Sequence, residues 1–271
     1  MATRKAVLVT GANKGIGLHI ARGLASAGYE VLLGCRNVTL GNQAWSSIVK
    51  ETPTAAGVVL ELDITQDASV AKAAAAIVAR HPQGLDALVN NAGVMFPTAA
   101  RETFGHQAEV TLGVNYFGTQ RVSQALFPLL KPGSIVVNVT SRLGLLRSLQ
   151  PGTDLRQVLK SPSLTMERLD AMMREFIALA AAGKHAERGW PNSAYGTSKI
   201  GENALTRLQA EQHPTMKVVA YCPGWCKTDM GGQSAPLTAE GGADTAVWLV
   251  TNSAAIKTSG GFWAERAEID Y

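Results

Sequence analysis

Thr10-Gly11-Ala12-Asn13-Lys14-Gly15-Ile16-Gly17 follows an apolar run at residues 6–10 and leads into a helical stretch at 17–27. A strand that feeds a glycine-rich turn and then a helix is the opening of a βαβ unit. Its helix N-terminus presents free N–H donors and the positive end of the dipole at the carboxyl end of the strand. Glycine there lets the backbone turn tightly and approach a pyrophosphate closely. The spacing is G-x-x-x-G-x-G rather than G-x-G-x-x-G, so Gly11, Asn13, Lys14, Gly15, Ile16 and Gly17 form a candidate phosphate cradle. The structural alternative is a plain strand–turn–helix that needs a glycine or two.

Outward from this loop, apolar runs recur at 30–34, 58–62, 87–90, 134–140, 217–222 and 261–263. Amphipathic or alanine-rich stretches such as 67–80 and 108–130 lie between them. Short apolar strands alternating with helices predict an α/β fold of the Rossmann type. The expected sheet is doubly wound and parallel, of about seven strands, covered on both faces, with ligands at the strands' carboxyl ends. No composition break or repeat divides residues 1–271, so one domain is expected. The irregular stretch at 145–191 holds Pro151, Pro162 and Gly183 but also a helical stripe. Thr165 is placed to cap a helix whose Leu169, Met172, Phe176 and Leu179 share a face. We read it as an insertion that packs on the domain through that stripe.

The 271 residues are 46% hydrophobic and 17% charged, which excludes dominant disorder. Net charge is +4 without any run of five basic residues, so nucleic-acid binding gains no support. The three cysteines, Cys35, Cys222 and Cys226, form no C-x-x-C pair and point to a reducing compartment. No segment has the length of a membrane span, and residues 1–5 run into the first strand without an apolar leader, so a soluble cytoplasmic protein is expected. The histidines at 19, 81, 106, 185 and 213 show no metal-ligand spacing, and Ser141 is not in a G-x-S-x-G elbow, so neither a metal site nor hydrolysis is expected.

The second strand ends at Cys35-Arg36, where an NAD-selective site places an acid for the ribose 2′-hydroxyl. Arg36 and Lys14 instead offer two cations to a 2′-phosphate, unless both are solvated surface charges. This favours NADP(H). Asp63 either accepts from an adenine amino group or opens the next turn. In Asn90-Asn91-Ala92-Gly93, at the end of strand four, an Asn side chain is placed to bond turn backbone while small residues let the chain pass near a cofactor, which makes Asn90, Ala92 and Gly93 candidate cofactor residues; a purely structural turn is the rival reading. Tyr195 and Lys199 stand four apart on one helical face, preceded by Ser141 at the end of strand five. A neighbouring ammonium brings a phenol toward the working pH range, and Ser141 is placed to hold a substrate oxygen.

These motifs together resemble the short-chain dehydrogenase/reductase family, and within it the long-insert branch of NADPH-dependent carbonyl reductases. The resemblance rests on TGANKGIG at 10–17, LDI at 62–64, NNAG at 90–93, VNYFGT around Asn115, VTS at 139–141, SAYGTSK at 193–199 and CPGWCKTDM at 222–230. It implies NADPH as cofactor and a tetrad. Tyr195 is the acid that protonates the carbonyl oxygen, Lys199 holds the ribose and lowers the phenol's pKa, Ser141 orients the carbonyl, and Asn115 holds a relay water. It also places Ile64, Pro223, Gly224, Trp225 and Thr228 at the cofactor and Phe96, Gln107, Trp225 and Met230 at the substrate. Ser141 and Tyr195 lie 54 positions apart, as in the carbonyl reductase branch, and an insert over the usual oligomer surface implies a monomer. The expected activity is NADPH-dependent reduction of ketones, aldehydes or quinones. The alternatives are a dedicated biosynthetic or steroid alcohol dehydrogenase and a non-catalytic NADPH sensor.

Overall fold

Strands and helices alternate along most of the chain, in a computed structural model that describes residues 4–270. Residues 1–3 and 271 lie outside the described residues, and with them part of the reading of residues 1–5. The order is β1 (Ala6–Thr10), α1 (Gly15–Ser26), β2 (Glu30–Cys35), α2 (Val38–Glu51), β3 (Ala56–Glu61), α3 (Asp67–Arg80) and β4 (Leu85–Asn90). Then come α4 (Phe104–Leu112), a π-helical turn (Gly113–Gly118), α5 (Thr119–Leu126), β5 (Leu130–Val139), α6 (Leu155–Lys160) and α7 (Met166–Ala181). The chain closes with α8 (Ala194–Gln212), β6 (Lys217–Tyr221), α9 (Ala239–Thr251), β7 (Phe262–Ala264) and β8 (Ala267–Ile269).

The strands form one sheet in the order β3-β2-β1-β4-β5-β6-β7-β8, parallel except for β8. The seven parallel strands are those the sequence predicts. β8 is an addition: a three-residue antiparallel edge closed by a tight turn at Glu265 and Arg266, both at positive φ, and too short and polar to register as an apolar run. The chain leaves β1 toward β2 and β3, then returns to place β4 on the other side of β1. The strand order therefore reverses between β1 and β4, where a crevice opens at the carboxyl ends.

Alternate residues of the same strands face opposite layers. Val7, Val9, Val31, Leu33, Val89 and Val137 pack against α1, α2 and α9, through Ile20, Leu24, Ile48 and Leu249. Leu8, Leu32, Leu88 and Val136 pack against α3 and α5, through Val70, Ile77, Val122 and Leu126. Burial on both faces is why the strands read as unbroken apolar runs.

The insertion forms a third core. Thr165 caps α7 by accepting from the Arg168 N–H at 3.2 Å, as its position predicts. Leu169, Met172, Met173 and Phe176 are buried against Ala108 and Leu112 of α4 and Leu205 and Leu208 of α8, with Leu179 partly buried at the edge. Gly105 admits this contact, because a β-carbon there would meet Ala181 of α7 at 2.7 Å. The single helix predicted over 108–130 is instead α4, a π-helical turn and α5. The hydrophobic period alone does not register the extra residue that a π-turn inserts.

Candidate active site

The glycine loop turns with Gly11 and Gly15 at φ +64° and +56°, conformations that disfavour side chains. α1 starts without a side-chain cap, so its first N–H groups are left for another acceptor. The loop is held from the end of β4. The Asn91 amide donates to the Thr10 carbonyl at 2.8 Å and the Gly11 carbonyl at 3.3 Å, while the Asn91 and Ala92 N–H groups donate to the Thr10 hydroxyl at 2.9 and 3.0 Å. A β-carbon on Gly17 would run into the Asn91 amide and lie 2.5 Å from the Gly11 carbonyl oxygen. Such a concave, uncapped loop fits a pyrophosphate.

Of the two asparagines in the stretch, Asn91 is the one that bonds the turn backbone. The Asn90 side chain points into the sheet interior and donates to Asn138 at 2.9 Å and Ser123 at 3.3 Å, because its register on β4 faces Asn138 on β5. Ala92 lies against Gly11 of the loop, and Gly93 lies tightly against Asn115. Asp63 takes the turn-opening reading: its Oδ1 accepts from the Thr65 N–H and hydroxyl at 2.9 and 2.7 Å. Ile64 is buried against Gly118 and its carbonyl accepts from Arg121, so its side chain belongs to the core.

At the end of β2, Arg36 is exposed and free of hydrogen bonds or ion pairs among the described residues, as a phosphate-binding cation requires. Lys14, the second cation of the expected pair, has a carboxylate partner. Its ammonium lies 2.6 Å from Asp229, an exposed ion pair that ties the glycine loop to the loop after β6. Lys14 in turn holds the Asp229 carboxyl below its ordinary range. Thr228 rests its methyl over Gly15, and its hydroxyl accepts from the Gly231 N–H at 3.0 Å.

Asn115 sits within the π-helical turn, fully buried. Its amide accepts from the Val94 N–H at 2.8 Å and donates to the Val94 carbonyl at 3.0 Å and the Ser198 hydroxyl at 2.9 Å. The Ser198 hydroxyl donates to the Tyr195 carbonyl at 2.8 Å. The Asn115 side chain thus links the loop after β4 to the first turn of α8. The insertion grips the same turn: the Tyr116 hydroxyl donates to Asp170 of α7 at 2.7 Å, and the Arg174 guanidinium lies over the Phe117 ring.

Ser193 caps α8 by accepting from the Gly196 N–H at 2.9 Å, which starts the helix one residue before Tyr195. Tyr195 is half-buried, and the Lys199 ammonium lies 5.4 Å from its ring centre. Burial raises the Tyr195 pKa above the ordinary phenol value; Lys199 opposes that rise, Glu202 and Cys222 add to it, and the Ser141 hydroxyl lowers it. Lys199 donates to the Val139 carbonyl at 2.9 Å, and Gly144 lies so close to the Lys199 backbone that no β-carbon fits. The structure thus brings Ser141, Tyr195 and Lys199 together at the carboxyl ends of β5 and β6.

Against Lys199 lies a residue that the sequence reading did not select. Glu202 is 1% exposed, with Oε2 2.8 Å from the lysine Nζ. Burial, the largest single influence, disfavours the Lys199 ammonium, yet Glu202, Tyr195 and Cys222 together outweigh it and hold the lysine above its usual range. The signal was available, since Glu202 stands three residues from Lys199 on the same helical face.

Around the mouth, Phe96 is half-buried and edge-on to His106, while Trp225 and Met230 are exposed. The Trp225 indole donates to the Gly231 carbonyl at 2.7 Å. The Gln107 amide donates to the Glu102 carbonyl at 2.9 Å, closing the first turn of α4. Pro223 and Gly224 border a cavity of about 280 Å³ with Arg142, Cys222 and Leu237.

Comparison with known proteins agrees with this geometry. The short chain dehydrogenase family model matches residues 5–151. Carbonyl reductase [NADPH] 1 of Rattus norvegicus is 41% identical over 255 residues, covering 91% of this chain and 90% of that protein. The solved structure of salutaridine reductase from Papaver somniferum superposes with a TM-score of 0.85 at 32% identity, covering 96% of this chain and 99% of that one. Menthone neomenthol reductase from Mentha piperita superposes at 0.80 with 30% identity, covering 96% and 98%. A glycine loop under Asn91, Tyr195 and Lys199 on one helical face, and a family match over more than half the length lead to one assignment: this chain belongs to the short-chain dehydrogenase family.

Proposed function

We propose that this protein is an NADPH-dependent carbonyl reductase, an oxidoreductase that converts ketones, aldehydes or quinones to alcohols or hydroquinones, with Tyr195 as general acid. The observation that carries the reading is the placement of Tyr195, Lys199 and Ser141 beside a glycine cradle whose neighbouring strand ends in Arg36 rather than an acid. The similarity to rat carbonyl reductase [NADPH] 1 supports both the reaction and the cofactor.

The residues around Gly11 to Gly17 would hold the pyrophosphate and Arg36 the 2′-phosphate, with Ala92, Gly93, Pro223, Gly224 and Thr228 along the rest of the cofactor. When bound, NADPH supplies the hydride. Ser141 holds the substrate oxygen by a hydrogen bond and stabilises the negative charge that develops on it. Tyr195 donates its phenolic proton to that oxygen. Lys199 supplies positive charge beside the phenol and holds the ribose hydroxyls. Asn115 keeps Val94 and the first turn of α8 in register. The exposed apolar side chains at the mouth, Met95, Leu143, Trp225, Met230 and Leu237, favour bulky apolar carbonyl compounds.

We further infer a single-domain monomer in the cytoplasm. α7 covers α4 and α8 with buried apolar side chains, which supports the monomer. Three unpaired, buried cysteines support a reducing compartment, and no helix among the described residues is long and apolar enough to cross a membrane.

The test is loss of nicotinamide absorbance with purified protein, NADPH or NADH, and menadione, isatin or an aromatic aldehyde. Turnover with NADPH well above NADH is expected. Binding of NADPH without turnover of any carbonyl compound overturns the reductase reading.

A further inference from the structure

The reduction steps make no use of Glu202, yet its carboxylate lies 2.8 Å from the Lys199 ammonium and is almost wholly buried. Its Oε2 meets no polar partner other than that ammonium among the described residues. A carboxylate this deep is unfavourable unless its charge is met, and Lys199 is the cation that meets it. The same ammonium also donates to the Val139 carbonyl and faces the Tyr195 ring. The titratable groups acting on this cluster are Tyr195 and Lys199 from α8 and Cys222 from the end of β6, while β5 contributes the uncharged Val139 carbonyl.

An ammonium draws a neighbouring phenol toward ionisation, and a carboxylate beside that ammonium offsets part of its field. We propose that Glu202 is a positioning residue of the reductase, one that holds the Lys199 ammonium and tempers its pull on Tyr195, so that the phenol keeps the proton it donates. The consequence for turnover rests on the reductase reading; the electrostatic relation does not. Burial pushes the Glu202 carboxyl up to about 7 against the pull of Lys199. On the acid side of that value the neutral carboxyl leaves the ammonium's field unopposed. On the alkaline side the carboxylate adds to the burial that holds the Tyr195 phenol above its ordinary range.

Glu202→Gln keeps the shape and removes the charge, while Glu202→Asp keeps the charge and withdraws it by one methylene. Carbon-13 NMR of protein carrying tyrosine labelled at Cζ, with Tyr195→Phe to identify the resonance, reads the phenol without turnover. Tyr195 is expected to ionise lower in Glu202→Gln by about half a pH unit or more, with Glu202→Asp between it and wild type. The basic limb of kcat/KM for menadione reduction by NADPH should move the same way. Equal Tyr195 midpoints in wild type and Glu202→Gln overturn the proposal; if that variant does not fold, equal midpoints in wild type and Glu202→Asp do so. A shifted phenol in a protein that reduces no carbonyl compound upholds the Glu202 relation and overturns the reductase reading.

Discussion

The side-chain amide of Asn91 fills the space that a β-carbon on Gly17 would need, and from there it donates to the Thr10 and Gly11 carbonyls. One asparagine from the end of β4 thus shapes a loop about eighty residues earlier in the chain.

Gly17→Ala should therefore cost about 1–3 kcal/mol, the usual range for forcing a methyl into a filled site. It should also weaken NADPH binding, because relief of the clash displaces the Asn91 amide from the loop carbonyls. Denaturant midpoints and fluorescence titration with NADPH measure the two effects. A stable variant with wild-type affinity would show that the loop yields without consequence.

Tyr195→Phe removes the proton donor while leaving the ring packed against α8. Turnover should fall by about 10²–10⁴-fold, the range for loss of a general acid, with the NADPH dissociation constant little changed. Steady-state rates beside cofactor titration check the separation. Rates near wild type would remove Tyr195 from the chemistry.

Arg36 and Lys14 should differ in effect although both are cations near the cradle. Arg36 is free among the described residues, whereas Lys14 is held by Asp229 at 2.6 Å. Arg36→Ala should raise KM for NADPH by about 10–100-fold, as loss of a charged hydrogen bond implies, and leave KM for NADH nearly unchanged. Lys14→Ala should have the smaller effect, and Asp229→Ala should tighten NADPH binding by releasing the lysine. The ratio of kcat/KM for the two cofactors measures this; a larger loss from Lys14→Ala would reverse the assignment.

Phe176→Ala should destabilise the protein by about 3–5 kcal/mol, because the ring is fully buried where α7 meets α4 and α8. Thermal melting and sedimentation together test the role of the insertion. A small loss of stability accompanied by a change in oligomeric state would mark this face as an interface rather than a core.

Much of this molecule is legible in its sequence because it depends on local spacing. The apolar runs of the seven parallel strands, the glycines after β1, the Thr165 cap with its apolar stripe and the shared face of Tyr195 and Lys199 all follow from the periods of strand and helix. The tertiary structure decided which polar groups meet. It gave the loop to Asn91 rather than Asn90, paired Lys14 with Asp229 across 215 residues, turned the middle of a predicted helix into a π-turn around Asn115, and set the Glu202 carboxylate against Lys199. Apolar patterning specifies which face is buried, since any apolar partner suffices. A buried amide or charge needs a particular partner, and its choice is settled only when segments distant in the chain compete for the same donors and acceptors.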